Sequence, residues 1–241
     1  MQILRVEANS ENWFLIRLGK LMGSKIKGAR PSAYDRFKKL IGFYSILAEK
    51  IAESPDAEPP DERGHRLEPV ALASVAKMYG LVFDPQDSIW LSELDDDIGI
   101  SPDGTELVDI EAGEVPTYAA EVKCLSSAKH IKYIMADLKA RVMDDYNPIY
   151  SVPNEEQDHY RDQAVQYFVV NKKLKKLYYV FYDDRLTTGF EHLITYVIQI
   201  NREDVEELIK EQENFEMDTL LEINETVAML ANLGESIHVR N

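Results

Sequence analysis

Residues 101–124, SPDGTELVDIEAGEVPTYAAEVKC, hold three side chains of the types that phosphate chemistry needs: Asp103, Glu121 and Lys123. The Asp-Gly pair places Asp103 in a tight turn, and Glu121 and Lys123 stand two apart. In a strand, alternate side chains share a face, so Glu121 and Lys123 project to one side and Val122 and Cys124 to the other. Val122 and Cys124 suit a core, which leaves an acid and an ammonium at the mouth of a cleft with Asp103 aimed at the same spot. Two carboxylates held at one point call for a cation, because like charges in proximity are costly. The available ligands are oxygens, which favours Mg²⁺ or Mn²⁺ over zinc. A lysine beside such an ion can orient or deprotonate an attacking water. The reaction best served by this set is hydrolysis of a phosphodiester.

The surrounding pattern supplies the elements that must hold these groups. Residues 88–92 and 98–101 read as paired strands around the acidic turn ELDDD. ELVDIE (106–111), a turn at 112–114 and TYAAEVKC (117–124) read as a twisted antiparallel unit. Residues 67–81 read as a buried helix with Pro69 in its first turn and Gly80 as its stop. Glu68 there is either a dipole partner at a helix start or a further acid for the site. Residues 126–142 are helical by period, and so are 155–171, where Tyr160, Gln163 and Tyr167 fall at i, i+3 and i+7. That polar stripe faces either solvent or the acids. LYYVFYDD (177–184) and HLITYVIQI (192–200) are strongly β. From Asn201 onward the chain reads as an acidic helix or helix pair.

At the N-terminal end, residues 10–24 read as a short amphipathic helix, followed by Ser24 and Lys25, where a hydroxyl and backbone N–H groups could bind an anion. The bland alternative is a solvated basic loop. A second helix is expected over 33–52, a Pro-rich surface loop over 53–66, and a long loop over 144–158 beside the site. The expected fold class is therefore α/β (α+β), a central mixed twisted sheet flanked by helices in a single domain. Its parts are a helical 1–52, a catalytic core over 67–200 and an acidic helical 201–241.

The chain has 241 residues, 45% of them hydrophobic, enough for a full core. One cysteine, Cys124, excludes an internal disulfide and any Cys-ligated zinc or iron–sulphur site. No apolar run approaches the roughly 18 residues of a membrane span, and no signal-like segment opens the chain, so a cytoplasmic protein without membrane partners is expected. The net charge of −16 disfavours nucleic acid at first sight. The charge is uneven, however: residues 1–50 hold ten Lys/Arg against four acids, and 203–225 hold ten acids and one Lys. A basic face and an acidic exterior can coexist, the latter confining a polyanion to one groove.

The order of these features, a helix bearing Glu, an Asp turn, Glu-x-Lys on a strand and a helix bearing Gln, resembles the PD-(D/E)XK nuclease superfamily. Within it the chain resembles the lambda-exonuclease-like (YqaJ-type) viral recombinases. The matching pieces are WFLIRLGKLMGS (13–24), GHRLEPVA (64–71), SPDG (101–104), EVK (121–123) and YRDQ (160–163), and they cover roughly residues 12–183. The resemblance implies that Asp103, Glu121, the Val122 carbonyl and Glu68 bind Mg²⁺, with Mn²⁺ as substitute, and that Lys123 positions the nucleophilic water. It further implies that Gln163 holds the lysine or the scissile phosphate, and that Arg17 and Ser24 bind a terminal 5′-phosphate. Several relatives have Gln-x-Gln where this chain has Gln-x-x-Gln, so Gln163 carries over and Gln166 does not; Tyr167 resembles the tyrosine of RecB-type nucleases.

The implied activity is 5′-to-3′ digestion of linear double-stranded DNA from its ends. It would release 5′-mononucleotides and leave 3′ single-stranded tails for a single-strand annealing protein. The resemblance also implies a homo-oligomer, a ring trimer as in relatives, and a bacterial host cytoplasm if the chain is phage-encoded. Two rivals remain: a structure- or sequence-specific endonuclease of the same superfamily, and an acidic non-catalytic DNA mimic or binding module.

Overall fold

The computed structural model describes residues 1–8, 10, 12–13, 16, 21–22, 60–155 and 158–238. In chain order these form β1 (Gln2–Arg5), β2 (Leu21–Met22), α1 (Pro60–Tyr79), β3 (Ser88–Leu91), β4 (Ile98–Ile100), β5 (Gly104–Thr105) and β6 (Tyr118–Cys124). They continue with α2 (Ser127–Ala140), the short hairpin β7 (Asn154–Glu155) and β8 (Asp158–His159), α3 (Tyr160–Val170), β9 (Lys176–Tyr182), β10 (Thr195–Asn201) and α4 (Glu206–His238).

The main sheet has the order β10-β9-β6-β5, with β6 and β9 parallel and the outer pairs antiparallel, so it is mixed. A second sheet has the order β1-β3-β4-β2. The alternation along β6 and β9 sorts two cores. Ala120, Val122, Tyr178, Val180 and Tyr182 pack against Leu67, Ala71 and Val75 of α1. Ala119, Leu177, Tyr179 and Phe181 face the other way, onto Ala164, Tyr167 and Phe168 of α3 and Trp90 and Ile100 of the second sheet. The sheet is thus enclosed between helices on both faces, as the mixed sequence pattern required. Gly104 permits this closeness: a Cβ there would lie 2.7 Å from Leu72 Cδ2 and 3.2 Å from Phe83 Cδ1.

Several local expectations are corrected. Helix α1 begins at Pro60, within the stretch read as a loop, because proline costs nothing at a first helical position. Pro69 therefore sits in the helix interior, where its missing N–H leaves the His65 carbonyl without its helical donor. ELVDIE forms no strand of its own: backbone pairing reaches only Glu106, whose N donates to the Tyr118 carbonyl at 3.2 Å, and Leu107, whose N donates to the Val82 carbonyl at 3.1 Å. Acidic side chains take its backbone partners instead: Glu106 Oε2 accepts from Thr117 N and Oγ1 at 2.6 and 2.8 Å, Glu114 Oε2 from Asp109 N at 2.9 Å, and Asp109 Oδ1 from Ala112 N at 3.1 Å. Helix α3 starts at Tyr160, five residues later than the period suggested, after the β7–β8 hairpin. Leu21–Met22 pair as a strand with Ile98–Gly99 where the end of a helix was expected. The expected 33–52 helix lies outside the described residues.

Candidate active site

Strand β6 does what its alternation predicts. Glu121, 2% exposed, points with Lys123 toward α3, while Val122 turns to the α1 face. Around Glu121 three donors converge. Lys123 Nζ and Gln163 Nε2 donate to Oε1 at 2.5 and 2.7 Å, and the Tyr167 hydroxyl donates to Oε2. The Lys123 ammonium also lies 5.1 Å from the centre of the Tyr160 ring. The Tyr160–Gln163–Tyr167 stripe thus faces the acids and not solvent. Gln163 holds Glu121 through its amide nitrogen, a donor with the carboxylate as the acceptor within reach.

Asp103 arrives from the turn before β5, where its Oδ2 accepts from Val122 N at 2.7 Å, one residue along from Glu121. Because β5 is only two residues long, the sheet edge ends at Asp103, and carboxylates from both faces line one cleft there. Glu68, from α1 on the opposite face, completes the set. The cleft, about 440 Å³, is lined by Glu68, Asp103, Glu121, Lys123 and Gln163, with His65 and Pro69 of α1, Ile100–Pro102, Asp87–Ser88, and Ala8 and Trp13 of the N-terminal segment.

The electrostatics are those of a site with too much negative charge. Burial, then the charges of Glu121 and Asp87, pushes Glu68 up to about 7. Burial, then Glu121 and Glu68, holds Asp103 well above the usual carboxylate range. Burial pulls the Lys123 ammonium down, but Glu121 and Asp103 outweigh it and keep the amine above its ordinary value. Among the described residues one ammonium stands with three carboxylates, so a cation would relieve the set, and all-oxygen donors suit Mg²⁺ or Mn²⁺. The donor chemistry fits such an ion. The side chains themselves stand in a different arrangement: among the described residues no three acidic, His or Cys groups converge on one metal position, and Glu121 is held by Lys123, Gln163 and Tyr167.

Asp103, Glu121, Lys123, Gln163 and Glu68 are therefore brought together, and Tyr167 joins them. Val122 contributes its N–H to Asp103. Gln166 is fully buried elsewhere, its Oε1 accepting from Gln212 Nε2 at 2.5 Å between α3 and α4. Arg17 and Ser24 lie outside the described residues. The 144–158 loop is not part of this cleft among the described residues; Tyr150–Asn154 line a smaller cavity of about 170 Å³ with Lys132 and Arg161. Asp87 carries no sequence signal, since nothing in DPQDS marks a partner distant in the chain, and His65 is read only as part of GHRLEPVA.

No family model and no curated protein matches this sequence. Among solved structures, the crystal structure of an alkaline exonuclease (LHK-Exo) from Laribacter hongkongensis superposes with a TM-score of 0.65 at 22% identity, covering 95% of this chain and 100% of that one. The structure of LHK-Exo in complex with dAMP matches with a TM-score of 0.64 at 22% identity and the same coverage. With its mixed sheet and flanking helices, the chain has the fold seen in this alkaline exonuclease.

Proposed function

We propose that this chain is a metal-dependent DNA exonuclease acting on the ends of linear double-stranded DNA, probing 5′ to 3′ and releasing 5′-mononucleotides. The observation that carries this reading is the convergence of Asp103, Glu121, Glu68 and Lys123 in one cleft of a fold shared with an alkaline exonuclease, one of whose structures is a complex with dAMP.

A bound Mg²⁺ or Mn²⁺, held by Asp103, Glu121, Glu68 and the Val122 carbonyl, would supply charge neutralisation and Lewis acidity at the phosphate. The chain's own groups do the rest. Lys123 Nζ holds the attacking water and offsets charge on the phosphate oxygens. Gln163 and Tyr167 fix the Glu121 carboxylate, so that it does not reorient during turnover. Water adds to phosphorus and the bond to the 3′ oxygen breaks, leaving a 3′-hydroxyl on the released nucleotide and a new 5′-phosphate on the strand. Each cycle thus regenerates the end that Arg17 and Ser24 are proposed to recognise, an arginine fork suiting a phosphate dianion. The 3′ tail left behind would pass to a single-strand annealing protein, and the enzyme would work as a homo-oligomer, a ring trimer.

The test is a time course on 5′-phosphorylated linear duplex and on the same DNA as a closed circle, with Mg²⁺ or EDTA. Mononucleotide release from the linear form alone, abolished by EDTA, supports the proposal. Nicking of the circle would indicate an endonuclease, and Mg²⁺-independent binding without cleavage would indicate a binding module.

A further inference from the structure

The N-terminal segment is led to the cleft by strand β1 and by the loop before β3. Strand β1 pairs antiparallel with β3, Gln2 with Leu91 through to Arg5 with Ser88. Beyond Arg5 the pairing is carried on at one residue: Val6 N donates to the Asp87 carbonyl at 3.3 Å, and Ala8 N donates to Asp87 Oδ2 at 2.7 Å. Arg5 grips the same loop through the Gln86 carbonyl at 3.1 Å and the Asp84 carboxylate. From there Ser10 Oγ caps the turn that presents Trp13, accepting from Trp13 N at 3.2 Å. Trp13 packs beside Ile89, Leu91, Leu4 and Val6, and with Ala8 it lines the cleft that holds the acids.

We infer that Asp87 is a positioning residue for substrate: by holding Ala8 it fixes the Ala8–Trp13 wall, and that wall sets how a DNA strand is seated against Asp103, Glu121 and Lys123. This rests on the nuclease reading for its substrate and on the hydrogen bond for its geometry. Asp87 lies on an exposed loop, so its side chain is dispensable for the core, yet it is the one side chain among the described residues that bonds the Ala8 backbone. An anchor of this kind alters substrate affinity more than the chemical step, since it bonds neither Lys123 nor Glu121; the Asp87 charge that helps raise Glu68 is kept in Ala8→Pro and lost in both Asp87 variants.

The test compares Asp87→Ala, Asp87→Asn and Ala8→Pro. Asp87→Ala removes the acceptor, Ala8→Pro removes the donor, and Asp87→Asn keeps an oxygen acceptor without the charge. The readouts are KM and kcat on 5′-phosphorylated linear duplex, and acrylamide quenching of tryptophan fluorescence without DNA. Of the two tryptophans, Trp90 is fully buried, so quenching reports Trp13. Asp87→Ala and Ala8→Pro are each expected to raise KM about tenfold with kcat within about twofold of wild type, and to increase quenching, while Asp87→Asn stays close to wild type in both. Unchanged quenching in both Asp87→Ala and Ala8→Pro overturns the anchor. A kcat loss in Asp87→Asn equal to that in Asp87→Ala overturns the positioning role in favour of a charge needed in the reaction. If wild type cleaves no DNA while the quenching pattern holds, the nuclease reading fails and the wall's geometry stands.

Discussion

A buried carboxylate on α2 and two part-buried carboxylates in the cleft resolve their desolvation in opposite ways. Asp137 on α2 is fully buried, and burial alone would push it up. The Ser151 side chain, then the hydroxyls of Tyr196 and Tyr146 at 2.5 and 2.8 Å and Arg141 Nε at 2.7 Å, outweigh that and hold it below the usual carboxylate range. In the cleft, Glu68 and Asp103 have fewer donors and more acidic neighbours among the described residues, and both are raised. The comparison teaches that burial does not distinguish a structural acid from a reactive one. The donor count and the local charge balance do, and among the described residues the cleft is the place left short of positive charge.

The sharpest way to break this distinction is substitution in each region. Lys123→Ala and Asp103→Ala should lower Mg²⁺-dependent cleavage by roughly a thousandfold or more, with circular dichroism unchanged; wild-type activity in either would end the assignment. Asp137→Ala should do the reverse. Leaving two tyrosine hydroxyls and an arginine without their acceptor should cost about 2–4 kcal/mol in urea unfolding, with kcat per folded molecule close to wild type. Tyr167→Phe lies between the two: loss of one hydrogen bond to Glu121 should lower kcat about tenfold and stability by about 1 kcal/mol. Equal effects of Asp137→Ala and Lys123→Ala on kcat would erase the contrast.

A smaller effect separates the regions by pH. His130 is buried, its Nε2 2.7 Å from the Leu193 carbonyl, and burial lowers it to about 4. A histidine whose folded value lies below its unfolded one contributes stability that is complete above about pH 6.5 and is lost as pH falls toward 4. Glu68, raised to about 7, acts oppositely: its stability contribution declines as pH rises from about 4.5 through 7. Because the two windows overlap with opposite sign, His130→Gln should remove the rise in stability between about pH 4 and 6.5, by at most about 3 kcal/mol, while Glu68→Gln removes the opposing decline and steepens that rise. Urea midpoints across pH 4–8 decide this, and a profile unchanged by either substitution would contradict the assigned environments.

Much of the site could be read in the sequence because its logic is local. The two-residue period of β6 forces Glu121 and Lys123 to one face, and the Asp-Gly turn delivers Asp103 beside them. The i, i+3, i+7 spacing on α3 then gathers Tyr160, Gln163 and Tyr167 against that face. What could not be read depends on partners distant in the chain. Gln163 chooses Glu121 across 42 positions, and Asp87 meets Ala8 across 79. The 106–111 stretch has strand composition, but Glu106, Asp109 and Glu114 spend their side chains on the backbone and displace the ladder. Residues 60–66 look like a loop because proline's neighbours hide its tolerance at a helix start.

The central claim is that the cleft's unbalanced acids form a hard-cation site, and calorimetric titration of the protein with Mn²⁺ at pH 7.5 tests it without DNA. Saturable binding by wild type, lost in Asp103→Asn and retained in Asp137→Asn, is the predicted result; no binding by wild type, or binding that Asp103→Asn leaves intact, would contradict it.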